Sequence, residues 1–469
     1  MTSEIKVNKV SDSCGSALVT KCGSTITLGA SGKTVSIACG ASTVGMGRTG
    51  TVDWCTTAKT SPFTAVNGKG YFVNTTGGTV TVTLPSSPTA GNIIAISDYA
   101  NTFSNNKVTI GRNSSKINGG CFDSDLNTTG QSVTLVYVDA TRGWKTVTDS
   151  TANVTGQPNY VTASGGTETT SGDYKIHTFT ADGNFVVTAG GLPAGSDKVS
   201  YMVVAGGGGG GGDHGGGGGA GGFREGKCSS DPYTDSPLDA GVGLSVTAQT
   251  YPITVGAGGA GGEGQPSPNN PSGQGTWGTP GNNSIFSTIT STGGGGGAKE
   301  PYPYGQPTTS IDGGVGRPGG SGGGGSYTAS GTPQGGTGGT GNTPPVSPPQ
   351  GNNGGTSPSV GSGSPYNAGQ GGGGATAAGT GVAGSAGCAG GGAGATTSIT
   401  ASPVAYAGGG GGARGGSGGS GGGGNGGNPG NGTSGTTNRG VGGGGGYPDP
   451  QTGGAGGSGI VVIRYKYQN

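Results

Sequence analysis

Charge is scarce in this chain: Lys, Arg, Asp and Glu make up 9% of 469 residues, and the formal net charge is +1. Without a basic stripe to neutralise phosphates, nucleic acid is not an expected partner. No apolar run approaches the ~20 residues of a membrane-spanning helix, so no membrane insertion is expected. The first residues, Met1 to Lys6, lack the apolar core of a signal peptide, and synthesis in the cytoplasm is the expectation. Leu/Ala/Glu/Lys-rich periodic segments are missing as well, which argues against long helices. The seven cysteines are odd in number and show no C-x-x-C spacing, so no zinc framework is read from them.

Catalytic constellations are equally hard to find. Gly-rich dinucleotide patterns carry no information in a chain with 121 glycines. Asp231, Asp235 and Asp239 lack the spacing of a calcium loop. The carboxylate pair of a glycan-cleaving enzyme cannot be recognised from spacing alone. Only two histidines are present. His177 reads as a half-exposed strand residue, and Asp213-His214, between two glycine runs, reads as a polar pair or as a turn. The expectation is a protein that is not an enzyme, with no catalytic residues, no bound metal and no cofactor.

Glycine is what the chain has in excess, about a quarter of all residues against a typical ~7%. Most of it lies in residues 201–465, which open with Tyr201-Met202-Val203-Val204-Ala205 and close with Ile460-Val461-Val462-Ile463-Arg464-Tyr465. Glycine tracts lose much backbone entropy on ordering, so a flexible linker is the simplest reading. Strand-like pieces at 251–255, 284–289 and 397–400 argue otherwise, because a linker has no use for apolar faces. The expected structure is a bundle of extended left-handed polyglycine II helices, three residues per turn, whose N–H and C=O groups pair with neighbouring helices. Collagen is excluded, because the glycine-poor residues 227–240 break any G-X-Y period.

The whole chain therefore reads as all-β with a polyglycine II helix bundle. Residues 1–60 carry short strand pieces and are expected to form a shaft that attaches to a larger particle. Residues 61–150 alternate cleanly, as in Val80-Thr81-Val82-Thr83, and are expected to form a sandwich-like or jelly-roll module with Trp144 over its core. Residues 151–200 form a linker and a small β unit. Residues 201–469 form the glycine-rich tip, closed by a strand at 460–467; the strands at 174–180 and 185–188 are expected to pair with 201–205 and 460–465 and so close the tip at its base. Inserts at 263–283, 298–312, 326–334 and 342–367 interrupt the glycine tracts. Their aromatics, Trp277, Tyr302, Tyr304, Tyr327 and Tyr366, are the candidate receptor contacts, because Tyr and Trp give large contact area at small entropy cost. The competing reading is that these rings pack over the tracts.

Gly172-Asp173-Tyr174-Lys175-Ile176-His177-Thr178-Phe179-Thr180, the opening strand with Gly206 and the closing strand with Gly459 together resemble the glycine-rich domain of phage tail-fibre and virion fibre proteins, especially those of marine phages. Residues 71–147 resemble a β module of phage virion proteins, and Ile5-Lys6-Val7-Asn8-Lys9-Val10 is similar to the start of such fibres. The resemblance implies a tail fibre or spike of a virion that binds a host bacterial surface glycan or outer-membrane protein, joins other virion tail proteins through its N-terminal segment, and forms a homotrimer. A purely structural virion decoration and a polysaccharide depolymerase are the alternatives.

Overall fold

In a computed structural model, the described residues are 9–11, 17–22, 25–28, 52–151, 154, 160–192, 195–265, 275–300, 314–326, 336–357, 368–382 and 388–468. Among them there are six sheets and no helix. The three N-terminal strands, Lys9–Ser11, Ala17–Cys22 and Thr25–Leu28, pair antiparallel in one small sheet.

The middle module is two sheets over one core of Val73, Val82, Ile94, Ile96, Phe103, Ile110, Leu135 and Trp144, all fully buried. Alternation explains the burial: Val80 and Val82 point inward while Thr81 is exposed. Trp144 sits inside this core, with Tyr137 edge-on at 5.6 Å. The module begins at Asp53 rather than at residue 61, because Asp53–Lys59 is the edge strand beside Lys69–Val73. The path also differs from an antiparallel jelly roll. Asp53–Lys59, Lys69–Val73 and Ile93–Asp98 run parallel in one sheet. Phe63–Thr64, Val80–Thr83 and Val108–Gly111 run parallel in the other. The chain thus crosses from sheet to sheet in successive coils, and antiparallel pairing enters later, through Ser124–Leu126 beside Val108–Gly111 in one sheet and through Ser132–Asp139 and Gly143–Asp149 in the other.

Residues 160–204 are not a separate linker unit but part of the base of the glycine region. One base sheet has the order Thr167–Ser171, Tyr174–Phe179, Ile460–Lys466, Lys198–Val204, Phe223–Gly226. Tyr174–Phe179 pairs with the closing strand as expected, but the closing strand separates it from Lys198–Val204, and Gly183–Gly190 pairs instead with Val161–Ser164 and Gln249–Thr254 in a second sheet. Both central strands are apolar on both faces for a reason. Tyr201, Val203, Val461 and Ile463 face a second sheet carrying Phe185, Tyr251 and Phe286. Met202, Val204, Ile460 and Val462 face Phe223, Ile399 and Tyr406. A strand covered on both sides cannot afford polar alternation. His177 is fully buried in this base, contrary to the half-exposed reading. Its Nδ1 lies 2.7 Å from the Gly165 carbonyl and its ring stacks on Tyr465 at 5.5 Å.

Above the base, the tracts are held mainly by backbone–backbone bonds, with side chains such as Thr276, Thr279 and Asn283 accepting from a few tract N–H groups. Along 206–212 the N–H groups turn successively to three neighbours. Gly206, Gly209 and Gly212 donate to Asn282, Thr279 and Thr276, Gly207 and Gly210 to Gly457 and Gly454, and Gly208 and Gly211 to Gly219 and Gly216, all at 2.9–3.1 Å. Its carbonyls accept from three further tracts: from Gly294 and Gly297, from Gly259 and Gly262, and from Gly443 and Gly446. Every third residue meets the same neighbouring tract. Tract 215–222 repeats the scheme, donating to 292–298, 370–373 and 440–446 and accepting from 205–211, 321–324 and 410–413. A Cβ on Gly209 would overlap the Ala260 carbonyl oxygen, and one on Gly210 the Gly444 carbonyl oxygen. Only glycine permits this approach from all sides.

Candidate functional site

Each tract runs either away from the base sheets or back towards them, so the lattice has a base end and a far end. The far end is marked by the turn at Asp213-His214, since 206–212 climbs from the strand Lys198–Val204 and 215–222 returns to Phe223–Gly226. Both turn residues have left-handed backbones, φ 45° and 44°. Asp and His tolerate that region better than most residues. The expected turn between two glycine tracts is therefore present.

The far end is also where most interruptions of the lattice leave it. Gln265 donates its N–H to Asp213, Ala298 accepts from Gly216, and Ser326 and Ser357 donate to Gly314 and Gly336. The residues flanking 266–274, 301–313, 327–335 and 358–367 thus all sit at one end of the lattice. Two expected inserts are smaller than their sequence suggests. Residues 275–282 form a lattice tract, and 342–350 packs at the base end, where Gln350 accepts from the Thr292 N–H and donates to Pro344.

This placement decides what is known of the candidate aromatics. Trp277 lies on the tract 275–282, half-buried, and not on a loop. Its Nε1 donates to the Val315 carbonyl at 3.2 Å, with the Lys299 ammonium 4.5 Å and the Arg317 guanidinium 5.2 Å from the ring centroid. Such cation–π contacts fix a ring on a surface that has no side chains of its own. Tyr302, Tyr304, Tyr327 and Tyr366 lie outside the described residues.

At the same end, the turn gathers groups that sequence spacing did not connect. His214 Nδ1 lies 3.3 Å from Glu300 Oε2 and 3.5 Å from Asp449 Oδ1. Tyr447 stands edge-on to the imidazole at 4.9 Å. Asp213 is fully buried; its Oδ2 accepts from Gln265 at 2.8 Å, while Oδ1 has no hydrogen-bond partner. Burial and the Asp449 carboxylate push Asp213 up to about 7. Burial pulls the His214 imidazolium down, but its bonds to Asp449 and Glu300 outweigh that and raise it to about 9. The hydrogen bond from His214 holds Asp449 below the usual carboxylate range. One signal could have found the cluster: His214, Glu300 and Asp449 all come just after glycine tracts, where chains of similar rise end together.

Asp231, Asp235 and Asp239 do not converge. Asp231 pairs with the buried Arg464 at 2.9 Å, Asp235 with Lys227 at 2.8 Å, and Asp239 caps backbone N–H groups of Lys227 and Gly241. A cleft of about 490 Å³ lies beside the Asp231–Arg464 pair, at the base, lined in part by Tyr174, Lys198 and Cys228.

A family model described as a glycine-rich domain matches residues 180–466, more than half of the chain. The chain belongs to that glycine-rich domain family. The match takes in the strand Gly183–Gly190 of the second base sheet, the glycine tracts and the closing strand Ile460–Lys466. The comparison with curated proteins finds no match. The glycine-rich domain thus has its scaffold within the matched residues, while the middle module and the strands Val161–Ser164 and Tyr174–Phe179 precede it.

Proposed function

We propose that this glycine-rich domain protein is a tail fibre or spike of a phage virion, and that its far end binds the host bacterial surface. What carries the reading is the common end from which the segments 266–274, 301–313, 327–335 and 358–367 depart. The tracts are read as polyglycine II helices, a rod without side chains whose rigidity comes from saturated backbone pairing. Such a rod fixes the ends of loops at little entropy cost, and loops on rigid scaffolds are where recognition chemistry sits. The ligand is a surface glycan or an outer-membrane protein. The N-terminal segment joins other virion tail proteins, and three copies assemble.

A purely structural role as virion decoration is favoured by one observation, the packing of Trp277 onto its own lattice. The two readings separate in a competition experiment. Purified full chain is expected to adsorb to host cells and to block adsorption of the phage. Variants with 301–313 and 327–335 replaced by short Gly-Ser linkers are expected to keep the melting temperature and lose adsorption. A folded full chain that neither adsorbs nor competes overturns the receptor reading. Light scattering on the same material tests the trimer.

A further inference from the structure

The cluster at the Asp213-His214 turn holds its imidazole between two carboxylates by contacts longer than charge-assisted hydrogen bonds. Charge-assisted hydrogen bonds between an imidazolium and a carboxylate run at about 2.7–2.9 Å. His214 Nδ1 stands 3.3 and 3.5 Å from its two carboxylate oxygens instead. Ligand atoms around a tetrahedral zinc, bonded at ~2.0–2.2 Å, are separated by about 3.4 Å, which follows from those bond lengths and the tetrahedral angle. The three ligand atoms of His214, Glu300 and Asp449 all lie within 4.8 Å of one another. A second, independent observation points the same way. The Asp213 carboxylate is fully excluded from solvent, belongs to the same turn and lies against Asp449, yet its Oδ1 has no donor. Two facing carboxylates cannot satisfy each other without a proton or a cation between them.

We propose that this cluster is a divalent transition-metal site of the zinc type, with His214 Nδ1, Glu300 and Asp449 as protein ligands. A water in the fourth position donates to Asp213 Oδ1. One imidazole nitrogen with carboxylate oxygens suits zinc, whereas calcium takes six to eight oxygen ligands. The role is structural. His214 sits on the turn after 206–212, Glu300 follows the tract 292–298, and Asp449 follows 442–446. One cation therefore ties three tract ends that share no covalent link, at the end from which the loops leave. The inference stands whether or not those loops bind a receptor.

The test is calorimetric titration of chelator-treated full chain with Zn²⁺, after alkylation of the exposed thiols Cys121 and Cys388. One site is expected, with affinity at least tenfold weaker in Glu300→Gln and in Asp449→Asn. Asp213→Asn, whose one remaining oxygen can accept from the Gln265 N–H while its NH2 faces the water, is expected to weaken binding about 10–100-fold. No uptake by the native chain, or uptake unchanged in Asp449→Asn, overturns the proposal. Co²⁺ bound to the native chain gives a readout that needs no variant to fold. A four-coordinate nitrogen–oxygen spectrum supports the site, and a thiolate charge-transfer band assigns the metal to cysteine and overturns it.

Discussion

The middle module and the glycine lattice solve one problem, satisfying a buried backbone, by opposite means. In the module, side chains such as Ile94 and Trp144 fill the space between two sheets, and the strand backbones pair mainly along the ladders of each sheet. In the lattice the filling is the backbone itself, since the carbonyls and N–H groups of 206–212 meet other backbones on every side. The first tolerates additions at its surface and suffers from deletions in its core. The second contains little to delete, and a single added methyl group overlaps a carbonyl.

This contrast can be broken or sharpened by experiment. The largest expected effect is in amide exchange. The N–H groups of 206–212 and 293–297 should exchange orders of magnitude more slowly than random coil, on the scale of the base strand Ile460–Lys466. Exchange at coil rates in the folded full chain would remove the lattice. Next, Ile94→Ala in the module should cost about 2–5 kcal/mol by leaving a cavity, read from denaturant unfolding of that module. In the lattice the sign of the volume change reverses. Gly391→Ala places a methyl group on the Gly409 carbonyl and should cost about 1–3 kcal/mol. Its neighbour Gly390 would meet only ordinary contacts at 3.5 and 3.8 Å, so Gly390→Ala should stay within about 0.5 kcal/mol of the native chain. Equal effects at the two positions would sink the account of glycine as a steric requirement.

The smallest expected effect is a pH slope at the base. Burial holds the His177 imidazole below its ordinary 6.5, against the opposing pull of the Gly165 carbonyl and Glu168. The unfolded chain then takes up this proton first as pH falls. The stability is full above about 6.5 and declines as pH drops from there towards the folded value. Of the groups around the ring, Lys175 pairs with Glu168 at 2.6 Å, which holds Glu168 below its ordinary value, and burial pushes Tyr465 up, so neither of these two titrates in that window. As pH falls across that window, the melting temperature of the native chain should drop relative to that of His177→Phe, because the raised Asp213 contributes its opposite slope equally to both. An identical slope in both would remove His177 as its source.

Much of the fold was legible because alternation and apolar runs report burial locally. Val80-Thr81-Val82 announced one inward face, and Val461-Val462-Ile463 announced a strand covered on both. The closing strand could be paired with its partners because the other two-sided runs were few. The connectivity of the middle module was not legible, since parallel coils and antiparallel hairpins use the same alternation. The candidate site was less visible still. Trp277 looked like a loop residue because the tract around it contains Thr, Pro and Asn as well as glycine. His214 and Glu300 are 86 positions apart and meet only because their tracts end at the same height.

The sequence by itself determined that the glycine tracts within residues 201–465 must be ordered by backbone pairing or not at all, since they have no side chains to bury. It also determined which strands could anchor them. Which tract lies beside which was decided only by the tertiary structure. One glycine tract offers its neighbours the same surface as another, so pairing is set by the base strands and by where each chain must turn. The cluster of Asp213, His214, Glu300 and Asp449 is a product of that choice, because no local pattern ties the ends of separate tracts together.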